Sequence, residues 1–180
     1  MFKRIAAALL ILVSLTLGGC VSTGAGFQSY VNTSEGYEFI YPNGWVQVKV
    51  SSGPDVVFHD MIEQTENVSV VISPVPDDKT LEETGTPTEI GYKLSKNAIA
   101  PEDSGREAEL VNAESRQRGE KTYYLLEYAV KLANNRPRHN LASVTTSRGQ
   151  LFTLNISATE KRWQKTHDQL EQVVKSFSVY

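Results

Sequence analysis

Between residues 108 and 158 the sequence passes four times through an extended pattern, with breaks of hairpin length between the passes. The expected strands are 108–116, 122–131, 138–146 and 151–158. In the second, Tyr124, Leu126, Tyr128 and Val130 alternate with more polar positions, and in the last Phe152, Leu154, Ile156 and Ala158 do the same. A period of two marks a strand with a buried face, and links this short join antiparallel neighbours. Upstream, Tyr37-Glu38-Phe39-Ile40-Tyr41 reads as a strand closed by the Pro42-Asn43-Gly44 turn, with 45–50 expected to pair back on it. Val56-Val57-Phe58 is a short strand and 67–73 a β-branched one ending at Pro74, whereas the acidic stretch 76–87 reads as a loop with room for one helical turn. Two segments have helical spacing. Ile90, Leu94 and Ala98 lie four apart within 88–100, and Trp163, Thr166, Leu170, Val173, Val174 and Phe177 form one stripe over 160–176. Trp45 and Trp163 both fall in apolar-periodic elements and are expected in the core. The fold class is α+β: a central, mainly antiparallel β-sheet sandwiched between helices, not a doubly wound parallel sheet.

The N-terminus reads as an address. Lys3 and Arg4 precede an apolar run from Ile5 to Leu17. A helix of that length rises about 20 Å, short of the ~30 Å hydrocarbon core, so the run reads as the central part of a signal peptide rather than a permanent span. Leu17-Gly18-Gly19-Cys20 follows, and it resembles a lipobox, in which the cysteine is acylated and becomes the new N-terminus. Two or more buried chains, at about 0.8 kcal/mol per CH₂, anchor stably. The expected organisation is a signal peptide over 1–19, a flexible tether over 20–35 beginning at lipidated Cys20, and one domain over 36–180. A chain of 180 residues is long enough to bury a core without metal or disulfide.

Charge and motifs exclude more than they select. The chain has 18 basic and 21 acidic residues. Removing Lys3 and Arg4 with the leader leaves 16 against 21. An acidic domain is a poor general binder of nucleic acid, whose affinity rests on neutralised phosphates. The one cysteine excludes disulfides and multi-cysteine zinc sites. No nucleophile elbow, phosphate-binding loop or H-E-x-x-H motif is present, so no catalytic residue is assigned. Three sequons, at Asn32, Asn67 and Asn155, are read as chance matches.

Candidate sites remain at the histidines and basic clusters. His59-Asp60 is a potential metal-ligand pair, although adjacent strand residues point to opposite faces, which favours a plain strand-end histidine and turn aspartate. His167 is expected to pack on Trp163 one turn away. If Arg148-Gly149 is a two-residue turn, His139 opposes Ala158 and Glu160 lies diagonally on the same face. A shift of one residue matches apolar to apolar better and sends Glu160 to the other face. His139 and Glu160 are thus either a structural ion pair or half a metal site, and Ser157-x-x-Glu160 also fits a capping box. No cofactor is required, and these His and carboxylate groups offer places for zinc, calcium or manganese. Arg116/Arg118/Lys121, Arg136/Arg138 and Lys161/Arg162/Lys165 are either solvated faces or a docking patch. The hairpin brings Arg136, Arg138, Lys161, Arg162 and Lys165 to one end of the sheet, where they can receive an acidic partner.

Several stretches in order carry a resemblance. They are Gly36-Tyr37-Glu38-Phe39-Ile40-Tyr41-Pro42 with Trp45, Asn67-Val68-Ser69-Val70-Val71-Ile72-Ser73-Pro74, Arg138-His139-Asn140-Leu141, Gly149-Gln150-Leu151-Phe152-Thr153-Leu154-Asn155, and Lys161-Arg162-Trp163 leading to Val174-Lys175-Ser176-Phe177. Together they resemble the PsbP family of photosystem II extrinsic proteins, and the lipobox is most similar to its cyanobacterial lipoprotein branch. The resemblance implies an antiparallel sheet between helices and attachment to the lumenal face of photosystem II. It also implies no catalytic activity, a role in assembly, repair or stability near the oxygen-evolving complex, calcium-ion binding, and divalent ions at surface His and carboxylate groups. The expected protein is a monomer, held by Cys20 on the lumenal side of the thylakoid membrane. The alternative is a lumenal or periplasmic carrier of a divalent metal or small ligand.

Overall fold

The computed structural model describes residues 26–76 and 79–180. The expected signal peptide and the lipobox with Cys20 lie outside the described residues. Seven strands form the main sheet: β3 (Trp45–Val48), β4 (Val56–Asp60), β5 (Asn67–Pro74), β6 (Glu107–Arg118), β7 (Lys121–Lys131), β8 (Pro137–Ser147) and β9 (Gln150–Thr159). Their spatial order is β3-β4-β5-β9-β8-β7-β6, and every neighbouring pair is antiparallel. A three-stranded sheet contains β1 (Phe27–Asn32), β2 (Tyr37–Pro42) and β10 (Ser178–Val179), in the order β1-β2-β10.

Three α-helices cover the main sheet: α1 (Leu81–Thr84), α2 (Pro87–Leu94) and α3 (Glu160–Ser176). Capping boxes start the first two, Thr80 with Glu83 and Thr86 with Glu89, and Pro87 occupies the first turn of α2. A π-helical turn, Ser95–Ile99, continues α2.

Alternation along the strands sorts the side chains into two cores. Phe152, Leu154, Ile156 and Ala158 join Phe58, Val68, Val70 and Tyr123 beneath α3 and the small sheet. Tyr124, Leu126, Tyr128 and Val130 point the other way, with Ala142 and Val144, beneath Leu81, Ile90 and Ile99. Trp45 and Trp163 are buried in the first core, as expected. The α+β class and the antiparallel sheet between helices therefore stand.

Three expectations are corrected and one open register is decided. First, β2 and β3 do not form a hairpin. The chain passes from one sheet to the other at Asn43-Gly44, where Gly44 has φ 84°, so that Tyr37 and Phe39 of β2 can close over Phe58 and Phe152 of the main sheet. Second, the stretch assigned to the tether over 20–35 contains β1. Tyr30 sits 5.3 Å from Phe58 and 5.4 Å from Phe39, a contact that earns this small, polar stretch its place in the core.

Third, the β8–β9 hairpin takes the His139↔Ala158 register, not the apolar-matched one. Turn chemistry decides it. Arg148 and Gly149 have φ 51° and 69°, the pair of positive values a two-residue type I′ turn needs. Fourth, Ser157 is not an N-cap. It lies in β9 and donates to Asn140, and Thr159 occupies the cap position of α3.

The first basic cluster is structural. Arg116 and Arg118 donate to the carbonyls of Lys175, Ser176 and Phe177, the unpaired acceptors at the C-terminal end of α3. Lys121 donates to Ser147 Oγ.

Candidate functional site

The start of β8, the end of β9, the first turn of α3 and the β4–β5 loop meet at one end of the main sheet, as the hairpin argument requires. The five expected docking cations are there, but they do different work. Arg138 is 6% exposed and donates from Nε to Ser157 Oγ at 3.1 Å and from its Nη atoms to Thr65 Oγ1 at 3.0 Å and Thr65 O at 2.6 Å. Burial pushes its guanidinium below its ordinary value, and Glu66 and Glu63 oppose that shift. Arg138 is thus corrected from a docking cation to a buried clamp on the β4–β5 loop, because its strand position turns it beneath the sheet rather than into solvent.

Arg162 is half-exposed and also engaged. It meets Asp60 at 3.3 Å and Glu66 at 3.2 Å. Glu66 has a side chain 2% exposed, and its other oxygen accepts from Thr159 Oγ1 at 2.8 Å and Thr159 N at 3.3 Å. This carboxylate takes over the N-terminal cap of α3, a favourable place for negative charge. Sequence reasoning missed Glu66. A glutamate between a turn and a strand carries no periodic signal, and only the tertiary fold brings it to the helix.

Asp60 closes a local turn by accepting from Ile62 N at 2.7 Å and Glu63 N at 2.9 Å. Burial raises its carboxyl, but the two amides and Arg162 together hold it below its ordinary value. His59 turns away and uses Nδ1 on the Asp60 carbonyl oxygen, so the side chains of the expected ligand pair do not converge. The turn leaves Met61 62% and Ile62 95% exposed beside Arg162. The signal for this apolar tip was present, as two large apolar residues inside a loop.

His139 and Glu160 do meet, with Nδ1 2.6 Å from the carboxylate. The other ring nitrogen faces Glu127 at 3.7 Å. The two carboxylates therefore lie on opposite sides of the ring instead of around one point. The imidazole stacks on Trp163 with centroids 4.6 Å apart and planes 3° apart, and His167 meets the same indole edge-on at 4.6 Å, as expected for that residue. Among the described residues, no group of three or more His, Cys, Asp or Glu side chains is placed to hold a metal ion.

Three of the five cations remain available. Arg136, Lys161 and Lys165 are exposed, and no ion pair is found for them among the described residues. Arg136 and Lys161 line one surface depression together, and Lys165 follows one turn further along α3.

Comparison with known proteins bears on the family and the fold. The chain is 50% identical over 184 residues to CyanoP of Thermosynechococcus vestitus, covering 100% of both chains. It is 38% identical over 154 residues to PsbP-like protein 1, chloroplastic, of Arabidopsis thaliana, covering 86% of this chain and 65% of that one. The solution structure of cyanobacterial PsbP (CyanoP) from Synechocystis sp. PCC 6803 superposes with a TM-score of 0.75 at 47% identity, covering 92% of this chain and 99% of that one. The family profile described as PsbP matches residues 25–179, and the chain belongs to the PsbP family.

Proposed function

We propose that this chain is a non-catalytic, lipid-anchored monomer of the thylakoid lumen that binds photosystem II and assists its assembly, repair or stability. The observation that carries this reading is the full-length similarity to CyanoP. The surface at the end of the sheet supports it. Arg136, Lys161 and Lys165 create a positive field on an acidic protein, which steers an acidic partner, and the Met61–Ile62 tip supplies the apolar contact. An anchor at Cys20 confines the domain to the membrane plane, so individually weak contacts suffice.

The test is co-purification of the tagged full-length protein with photosystem II subcomplexes from detergent-solubilised thylakoids. Reversing Arg136, Lys161 and Lys165 together to glutamate is expected to lower retention about tenfold, the sum of three contacts of roughly 0.5 kcal/mol each. Melting should not change. Retention that ignores both the triple reversal and added salt would reject this surface.

A second reading is divalent-cation binding at His139 and Glu160, two side chains of ligand type that the fold brings together. An ion there has to displace the proton on Nδ1. Zinc titration of wild type against His139→Gln, followed on the imidazole resonances, separates this reading from the first.

A further inference from the structure

A cavity of about 290 Å³ opens on the sheet face opposite α3, at the edge of the cover given by the π-helical turn. Its polar floor is an ordered relay. Arg138 donates to Ser157, Ser157 donates to Asn140 at 2.9 Å, and Asn140 donates to Asn155 at 3.2 Å. The direction of these bonds leaves the cavity rich in donors. Arg138 uses three of the five N–H groups of a guanidinium. The amide nitrogen of Asn155 makes no bond among the described residues, and neither does the guanidinium of Arg106 at the rim. No carboxylate lines the space, although Glu66 and Glu63 act on Arg138 from behind it. The remaining wall is apolar, formed chiefly by Ile99, Val130 and Leu132.

Two guanidinium groups and a free amide facing a hydrocarbon wall call for an occupant with acceptors at one end and carbon at the other. We propose that this cavity binds a small organic carboxylate, with its anionic group held by Arg138, Arg106 and Asn155 and its body against Ile99, Val130 and Leu132. The planar fork of arginine matches a carboxylate, and a charge-assisted bond to it is stronger than a neutral one. The volume lies at the small end of ligand sites, which limits the occupant to a short-chain acid.

The experiment titrates the isotope-labelled full-length protein in detergent with butyrate, butyramide and inorganic phosphate, following the side-chain signals of Arg138, Asn140 and Asn155. Butyrate is expected to give saturable shifts and butyramide none, with phosphate weaker than butyrate because it cannot use the apolar wall. Asn155→Asp keeps the acceptor for Asn140 but places a negative charge in the cavity, and should abolish binding. Arg106→Gln, at an exposed rim position, should weaken it about tenfold. Both variants should melt like wild type. A lack of saturation by butyrate, an equal response to butyramide, phosphate binding as tight as butyrate, or unchanged affinity in Asn155→Asp would each overturn the proposal. Arg106→Gln keeps the test decisive if Asn155→Asp does not fold.

Discussion

The two faces of the main sheet are built from the same strands yet behave as different materials. Beneath α3 and the small sheet, Phe152, Leu154, Ile156, Val68 and Val70 form a continuous dry core. On the other face, α1, α2 and the π-helical turn bury Tyr124, Leu126, Tyr128 and Val130, but the cover ends above β9. There Asn67, Asn155 and Ser157 replace apolar side chains, and the polar cavity begins. One strand face thus stabilises the fold along its whole length, while the opposite face stabilises it over half its length and leaves the rest for recognition.

Paired substitutions on adjacent residues of β9 can break this comparison. Phe152 is fully buried in the dry core, and Phe152→Ala should cost about 3–5 kcal/mol in urea unfolding. Thr153, one residue along and facing the open side opposite Val71, should tolerate alanine within about 0.5 kcal/mol. Comparable losses at both positions would mean that the open face is also packed. At the end of the sheet, Glu66→Ala removes the cap of α3 and the partner of Arg162, and should cost about 2–3 kcal/mol. If Glu66→Ala unfolds like wild type, the cap is dispensable.

Local signals made the sheet and α3 legible. The bounds of α3 and the two stripes in β7 and β9 follow from periods of 3.6 and 2, which every residue repeats. The 180° choice between faces was not legible, because alternation says that a strand has two sides but not which element covers each. The β8–β9 register was open for a related reason. Apolar matching and turn type pointed to different answers, and the left-handed backbone at Arg148-Gly149 prevailed. The site was legible as a place and not as a set of roles. Hairpin geometry brought Arg136 and Arg138 beside the first turn of α3, but whether a cation is free depends on distant carboxylates and hydroxyls. Thr65 and Glu66 engage Arg138 and Arg162 from more than 70 residues away in sequence, with no motif to announce it. Likewise β1 draws its place from Tyr30 packing on Phe58 and Phe39, a contact that composition alone cannot show.

The smallest expected effect tests whether the charged end of the sheet stabilises by charge or by shape. Asp60 is held below its ordinary value by two amides and Arg162, against the opposing effect of burial. A group whose folded value is depressed contributes stability that is whole above its unfolded value, about pH 4 for aspartate, and lost as pH falls through the folded value. Asp60→Asn keeps an oxygen to accept from Ile62 and Glu63 but removes the charge opposite Arg162. Near neutral pH it should cost about 0.5–1 kcal/mol, the range for a pair whose arginine is half in solvent. The difference between the two proteins should shrink as pH falls below about 4. Subtracting the variant also removes other carboxylates of the same sign, such as Glu63, whose carboxyl is held low chiefly by the Thr65 hydroxyl. A difference that stays constant with pH would assign the role of Asp60 to its turn geometry, and the exposed Met61–Ile62 tip would then be held by hydrogen bonds alone.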